Sequence, residues 1–222
     1  MQSPIRPLLT LEILLVLGTV LFASAMTFAI LVRRWTTQRH RVAMTDWGRQ
    51  RGFELQTSAD VSRLGPPLDL LKQYAAQPAI CLDDGRTRLV EVAADPPARS
   101  DGRPGTGQIT WRLVIRRIEP SLRTAGLRPV HDRHSFLDLF SLSSFPTIGG
   151  TERFILFAGN SEAAREFPAH AFRSMTPQDV GVFIYKDALV LDFSSRPFDD
   201  LEFNRMTGLA DQLAKIIKEP GK

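Results

Sequence analysis

The chain has 222 residues, 43% of them hydrophobic and 23% charged, with a formal net charge of +4 and a pI near 9.6. This composition excludes a disordered chain and a multi-span transporter. Behind one membrane segment and its flank, the length leaves about 170 residues, enough for one domain with its own core. The excess charge is local: residues 1–51 carry seven Arg against Glu12 and Asp46, whereas residues 52–222 hold 21 Lys plus Arg against 22 Asp plus Glu. A domain that close to neutral carries no general electrostatic footprint for DNA or RNA, so no nucleic-acid partner is expected.

Residues 13–32 (ILLVLGTVLFASAMTFAILV) run for twenty positions without a charge, and Leu8, Leu9 and Leu11 extend the apolar run upstream. At about 1.5 Å per residue this length crosses a hydrocarbon layer of about 30 Å, which predicts a transmembrane helix over 8–32. Ala23-Ser24-Ala25 resembles a signal-peptidase site, but the apolar run continues to Val32 and only Arg6 and the amino terminus charge the preceding region. A retained anchor is therefore expected over a cleaved signal. Arg33, Arg34, Arg39 and Arg41 follow the span, with Trp35 at the depth where indoles settle, and these five form the expected membrane-interface set. The excess of Arg after the span puts the N-terminus outside and the rest of the chain at the cytoplasmic face of the inner (plasma) membrane. The same cluster suits anionic headgroups, although a pure topology role explains it as well. Ala25 and Ala29, with Gly18 further up, form a small-residue seam of the kind that lets a second copy approach.

Residues 33–51 read as a basic juxtamembrane helix ending at Gly52, and residues 52–219 as one soluble domain. Phe53–Gln56 alternates as a short strand. Asp60 opens a short helical stretch, and Pro67 begins another over 67–75 with Leu68, Leu71 and Tyr74 on one face. Asp84-Gly85 lies between two apolar runs in 79–93, a hairpin signal. The segment 94–108, with three Pro and three Gly, reads as a flexible loop. In 109–119, Ile109, Trp111, Leu113 and Ile115 alternate with Thr110, Arg112, Val114 and Arg116, the clearest strand in the chain. Strands are expected near 126–130 and over 153–158. A short helix or extended cover is expected in 134–148, and a helix opened by Ser161 and Glu162 and disturbed by Pro168 follows. Residues 180–185 and 188–193 flank Lys186-Asp187 as a hairpin. Pro197 is expected to start a final amphipathic helix carrying Met206, Leu209, Ala210, Leu213, Ile216 and Ile217. Hairpins without regular strand–helix–strand alternation predict an α+β fold with a mainly antiparallel sheet.

Chemistry is harder to read. His131 and His134, with Asp132 or Asp138, hold too few ligands for a metal site, and a solvated loop explains them better. Asp192, Asp199 and Asp200 flank Ser194-Ser195-Arg196; paired carboxylates suit acid–base or cation chemistry, but dipole stabilisation and an N-cap at Ser195 account for them more simply. Arg112 and Arg116 share a strand face, and Arg117, Arg123 and Arg128 follow; they suit a phosphate or an acidic partner, or cross-strand acids. No GxSxG, GxGxxG or Walker A sequence occurs, so no cofactor is expected. The single Cys81 has no partner for a disulfide or a metal.

The span with its basic flank, Arg51-Gly52-Phe53, the strand around Thr110-Trp111, the Leu127-Arg128-Pro129 corner and the Phe154–Gly159 strand together resemble a group of uncharacterised bacterial single-pass membrane proteins with an α+β soluble domain. Glu91-Val92-Ala93 stands where that group ends a strand in Phe-Asp-Tyr. The resemblance implies a fold and no activity. The expected role is a binding or scaffolding domain held at the membrane, with a protein or a second copy as partner. The alternative is a membrane-bound hydrolase or metal-dependent enzyme using Asp192, Asp199, His131 and His134.

Overall fold

A computed structural model of the chain describes residues 6–56, 64–73, 77–95, 109–119, 124–131, 135–139 and 147–218. Residues 1–44 and 45–222 form two compact units.

In the first unit the chain is helical from Arg6 in helix α1 (Arg6–Gln50). Its segment Leu15–Val32 has a mean hydropathy of 2.4 and none of it is buried. Phe22 and Phe28 are each 69% exposed, so this is not the core helix of a soluble protein. The hydroxyls within it are satisfied by the helix itself. Thr19, Ser24 and Thr27 each donate to the carbonyl four residues earlier, at 2.8 Å. Such back-bonding removes the cost of carrying an unpaired hydroxyl into hydrocarbon. The segment is long and apolar enough to cross a membrane.

The second unit is an α+β domain. Among the described residues its strands are β1 (Glu54–Leu55), β2 (Gln77–Asp83), β3 (Thr87–Ala94), β4 (Ile109–Arg117), β5 (Ala125–Pro129), β6 (Thr147–Gly150), β7 (Phe154–Ala158), β8 (Gly181–Tyr185) and β9 (Ala188–Asp192). They form one antiparallel sheet in the order β1-β2-β3-β4-β9-β8-β5-β7-β6. The helices are α2 (Ser161–Glu166), α3 (Ala169–Met175) and α4 (Asp200–Lys218), with 3-10 turns at Leu68–Gln73 and Phe136–Leu139. Of the loop expected over 94–108, Ala94 belongs to β3 and residues 96–108 lie outside the described residues, as do the expected helical stretch at Asp60 and Asp132, His134 and Arg123.

Period-two alternation divides the core between the two sheet faces. On one face, Cys81, Val90, Val92, Trp111, Leu113 and Val190 pack under Leu68, Leu71, Phe136 and Leu137 of the 3-10 turns. On the other, the alternate positions Leu82, Leu89, Val114 and Leu191 are fully buried, as are Phe203, Met206, Ala210 and Leu213 of α4. Trp47, from the last turn of α1, joins this second core: its ring lies 5.5 Å from Phe53 and 5.2 Å from Phe203, centroid to centroid. At the centre of the β7-β5-β8 ladder stands Gly126. A Cβ there would come within 2.5 Å of the Val182 carbonyl oxygen and the Phe183 Cβ, so only glycine lets the three strands pair in register.

One helix boundary differs from the sequence reading and another agrees with it. The last helix starts at Asp200, not Pro197, because Phe198 turns inward to pack 4.4 Å from Phe203 before the helix begins. The helix after β7 opens at Ser161 as expected, capped by Asn160, whose side chain accepts from the Ala163 N–H at 2.8 Å.

Candidate functional site

The acidic residues that suggested catalysis are held in structural roles. Asp192 is 1% exposed at the end of β9. One carboxylate oxygen accepts from the Ser135 hydroxyl (2.8 Å) and the Phe136 N–H (2.6 Å), and the other from the Ser194 N–H (3.1 Å) and hydroxyl. It thus pins the 135–139 segment against the sheet. Gly181, opposite Asp192 in the ladder, leaves the room: a Cβ there would sit 3.1 Å from Leu137. Asp199 is the N-cap of α4, accepting from the Glu202 N–H at 2.9 Å. Ser195, expected to be the cap, instead donates to the Asp179 carbonyl at 2.9 Å. His131 is exposed in the turn after β5, while Asp192 is buried. Among the described residues no group of three or more His, Cys, Asp or Glu side chains is placed to hold a metal ion.

An ion-pair network ties the β9–α4 junction together. Arg196 forms two hydrogen bonds to Asp179, at 2.8 and 2.6 Å, and a third to Glu202 at 3.0 Å; Arg205 reaches the other Glu202 oxygen at 2.7 Å. Burial works to raise the Asp179 pKa, but the hydrogen bonds and charge of Arg196 outweigh it and hold the carboxyl below its ordinary range. The Asp179 hydrogen bond correspondingly raises Arg196. Arg112 donates to Glu91, its cross-strand partner, at 3.0 Å, and Arg128 to Asp138 at 2.6 and 2.9 Å. These arginines are therefore matched by acids from neighbouring elements.

Arg117 is not. It ends β4 at the rim of the sheet, where a groove of about 790 Å³ opens between the β4 end and the C-terminal turns of α4. Arg86, Arg116, Arg117, Ile118 and Lys215 line it. The Arg117 N–H donates to the Arg86 carbonyl at 2.8 Å and the Ile118 N–H to the Asp187 carbonyl at 2.9 Å, which fixes the hairpin turns as its corners. Arg86, Arg117 and Asp187 also border a smaller cleft of about 90 Å³ that reaches toward Pro66 and Ile115. Arg116 is paired with Asp211 (2.7 Å) and Lys218 with Glu119 (3.3 Å). Among the described residues, no hydrogen bond or ion pair engages the side chains of Arg86, Arg117 and Lys215. The sequence singled out Arg117 but not Arg86 or Lys215, since nothing local marks a hairpin arginine and a helix-end lysine as neighbours.

Of the residues expected at a membrane interface, Trp35 and Arg39 are exposed on α1, with the guanidinium 3.9 Å from the ring centroid, a cation–π geometry. The side chains of Arg33, Arg34 and Arg41 lie outside those described.

No family model and no curated protein sequence matches the chain. Among solved structures, it is similar to the crystal structure of the mycobacterial trehalose monomycolate transport factor A, TtfA, at 10% sequence identity and a TM-score of 0.51, over 82% of this chain and 94% of that one. At that identity the likeness is one of fold: the chain shares an α+β architecture with that transport factor.

Proposed function

We propose that the chain is a membrane-anchored protein whose α+β domain stands at the cytoplasmic face of the plasma membrane and there binds or scaffolds another molecule. The observation that carries the reading is the Leu15–Val32 helix, which is apolar along its length and wholly unburied. A helix of that kind is stable in lipid and costly in water. The arginines after it support the orientation. The name of the fold neighbour, a transport factor, supports a role in handling another molecule. Asp192 and Asp199, which the hydrolase alternative would use, instead hold the 135–139 segment and cap α4, which favours the binding reading. Residues 8–32 then serve as the anchor, 33–51 as the basic flank and 52–219 as the binding domain.

The test is extraction and terminal sequencing. Membranes from cells making the full chain, washed in alkaline carbonate, should retain it, and the retained protein should still contain residues 13–25. A mature chain beginning at Met26, or quantitative release by carbonate, would show a processed or peripheral protein instead.

A further inference from the structure

We infer that the groove between the end of β4 and the C-terminal turns of α4 is a binding site for a phosphate-bearing molecule, with Arg86, Arg117 and Lys215 as its anion-contacting residues. The inference rests on the binding role proposed above and names its ligand class.

Three observations carry it. First, the cations near this rim fall into two sets. Arg88, Arg116, Lys186 and Lys218 each have a carboxylate within 3.3 Å, whereas Arg86, Arg117 and Lys215 engage none among the described residues. Second, the backbone bond from Arg117 to Arg86 sets the end of β4 beside the β2–β3 hairpin turn, so two of these residues leave the backbone as neighbours. Like charges brought close repel, and an anion held between them would relieve that repulsion. Asp187 lines the same groove and offsets one charge, leaving a net excess of two. The C-terminus of α4 adds partial negative charge to one wall, which Lys215 and Lys218 offset. Third, the groove is far larger than a free anion, and Ile118 and Ala214, 6% and 9% exposed, give it an apolar floor. Its size suits a small organic molecule that carries the anion. Two guanidinium forks favour a multi-oxygen anion such as phosphate over a single carboxylate.

The experiment uses the full chain in a neutral detergent. Binding of inorganic phosphate, sn-glycerol 3-phosphate and dihexanoyl phosphatidic acid is measured by calorimetry and by the ligand-induced rise in melting temperature. The double variant Arg86→Gln/Arg117→Gln should bind each probe at least tenfold more weakly, and Lys215→Gln a fewfold more weakly. The charge-matched control Arg153→Gln/Arg165→Gln, at surface positions on other elements, should stay within twofold of the parent. The double variant should melt at or above the parent temperature without ligand, because it removes a repulsion, so weaker binding cannot be ascribed to unfolding. Tighter binding of the phosphatidic acid than of the two soluble probes would identify a lipid headgroup as the source, and equal binding a free phosphoester; either supports the site. Equal loss in the control variant, or unchanged binding in the double variant, would overturn it. So would capture of hexaglutamate in preference to all three phosphates, which would point to an acidic protein partner. A negative result here leaves carbonate resistance, and hence the anchor, intact.

Discussion

An Asp192→Ala variant is expected to lose about 2–4 kcal/mol of stability, because each buried donor left without its acceptor costs about 1–3 kcal/mol and several are stranded together. Four donors converge on that carboxylate, from Ser135, Phe136 and Ser194. Alanine leaves them in a site from which water is excluded, where each unsatisfied group costs free energy. The loss would not stay local. Phe136 packs edge-on against Trp111 at 5.8 Å and stacks on Phe183 at 6.1 Å, so freeing the 135–139 segment uncovers the first core face. Thermal unfolding of the full chain in detergent should show a midpoint lower by roughly 10 °C for a domain of this size. Asp192→Asn keeps one acceptor oxygen and should fall between the two. A change in Asp192→Ala smaller than 1 kcal/mol would mean that the carboxylate does not hold the segment down.

The second large effect is expected at Arg196. Arg196→Ala strips Glu202, whose side chain is 9% exposed, of one of its two cationic partners and leaves Asp179 without its bidentate clamp. Asp179 is itself 46% exposed, so solvent screens its share and most of the cost falls on Glu202. The expected loss is about 2–3 kcal/mol near neutral pH. The pH dependence separates the two terms. The folded Asp179 pKa lies below its ordinary 3.8. Its contribution is therefore fully present above about pH 4–5 and disappears as pH falls through the lower folded value. The parent should accordingly lose stability on acidification below pH 4, and Arg196→Ala should lose less over the same interval. Parallel pH–stability curves for the two proteins would show that the clamp is not formed in solution.

Much of the sheet was legible because strands announce themselves locally. The alternation in 109–117, Asp84-Gly85 between apolar runs, and the paired segments around Lys186-Asp187 each depend on neighbours in sequence, and each became a strand or hairpin. What was not legible depends on distance along the chain. The insertion of β5 between β8 and β7 is decided by Gly126, whose requirement appears only once Phe183 and Val182 are beside it. Ser195 has the chemistry of a cap, but an acceptor sixteen residues earlier, at Asp179, takes its hydroxyl and leaves the cap to Asp199. Asp192 looked like half of a catalytic pair because its partners Ser135 and Phe136 lie 57 and 56 residues away. The groove is the extreme case: its three cations without an acid among the described residues come from a hairpin turn, a strand end and a terminal helix. A sequence run can nominate Arg117, but only the fold can distinguish it from Arg112 and Arg116, which have acids to face.

The most direct test of the account is the side of the membrane on which the domain stands. Cys81 is 1% exposed and burial pushes its pKa up to about 11, so the native thiol is silent toward a membrane-impermeant maleimide. A cysteine placed by Glu152→Cys, in the exposed turn between β6 and β7, supplies a reporter. A domain at the cytoplasmic face leaves that thiol unlabelled in intact cells and fully labelled after lysis; labelling before lysis would contradict the cytoplasmic placement.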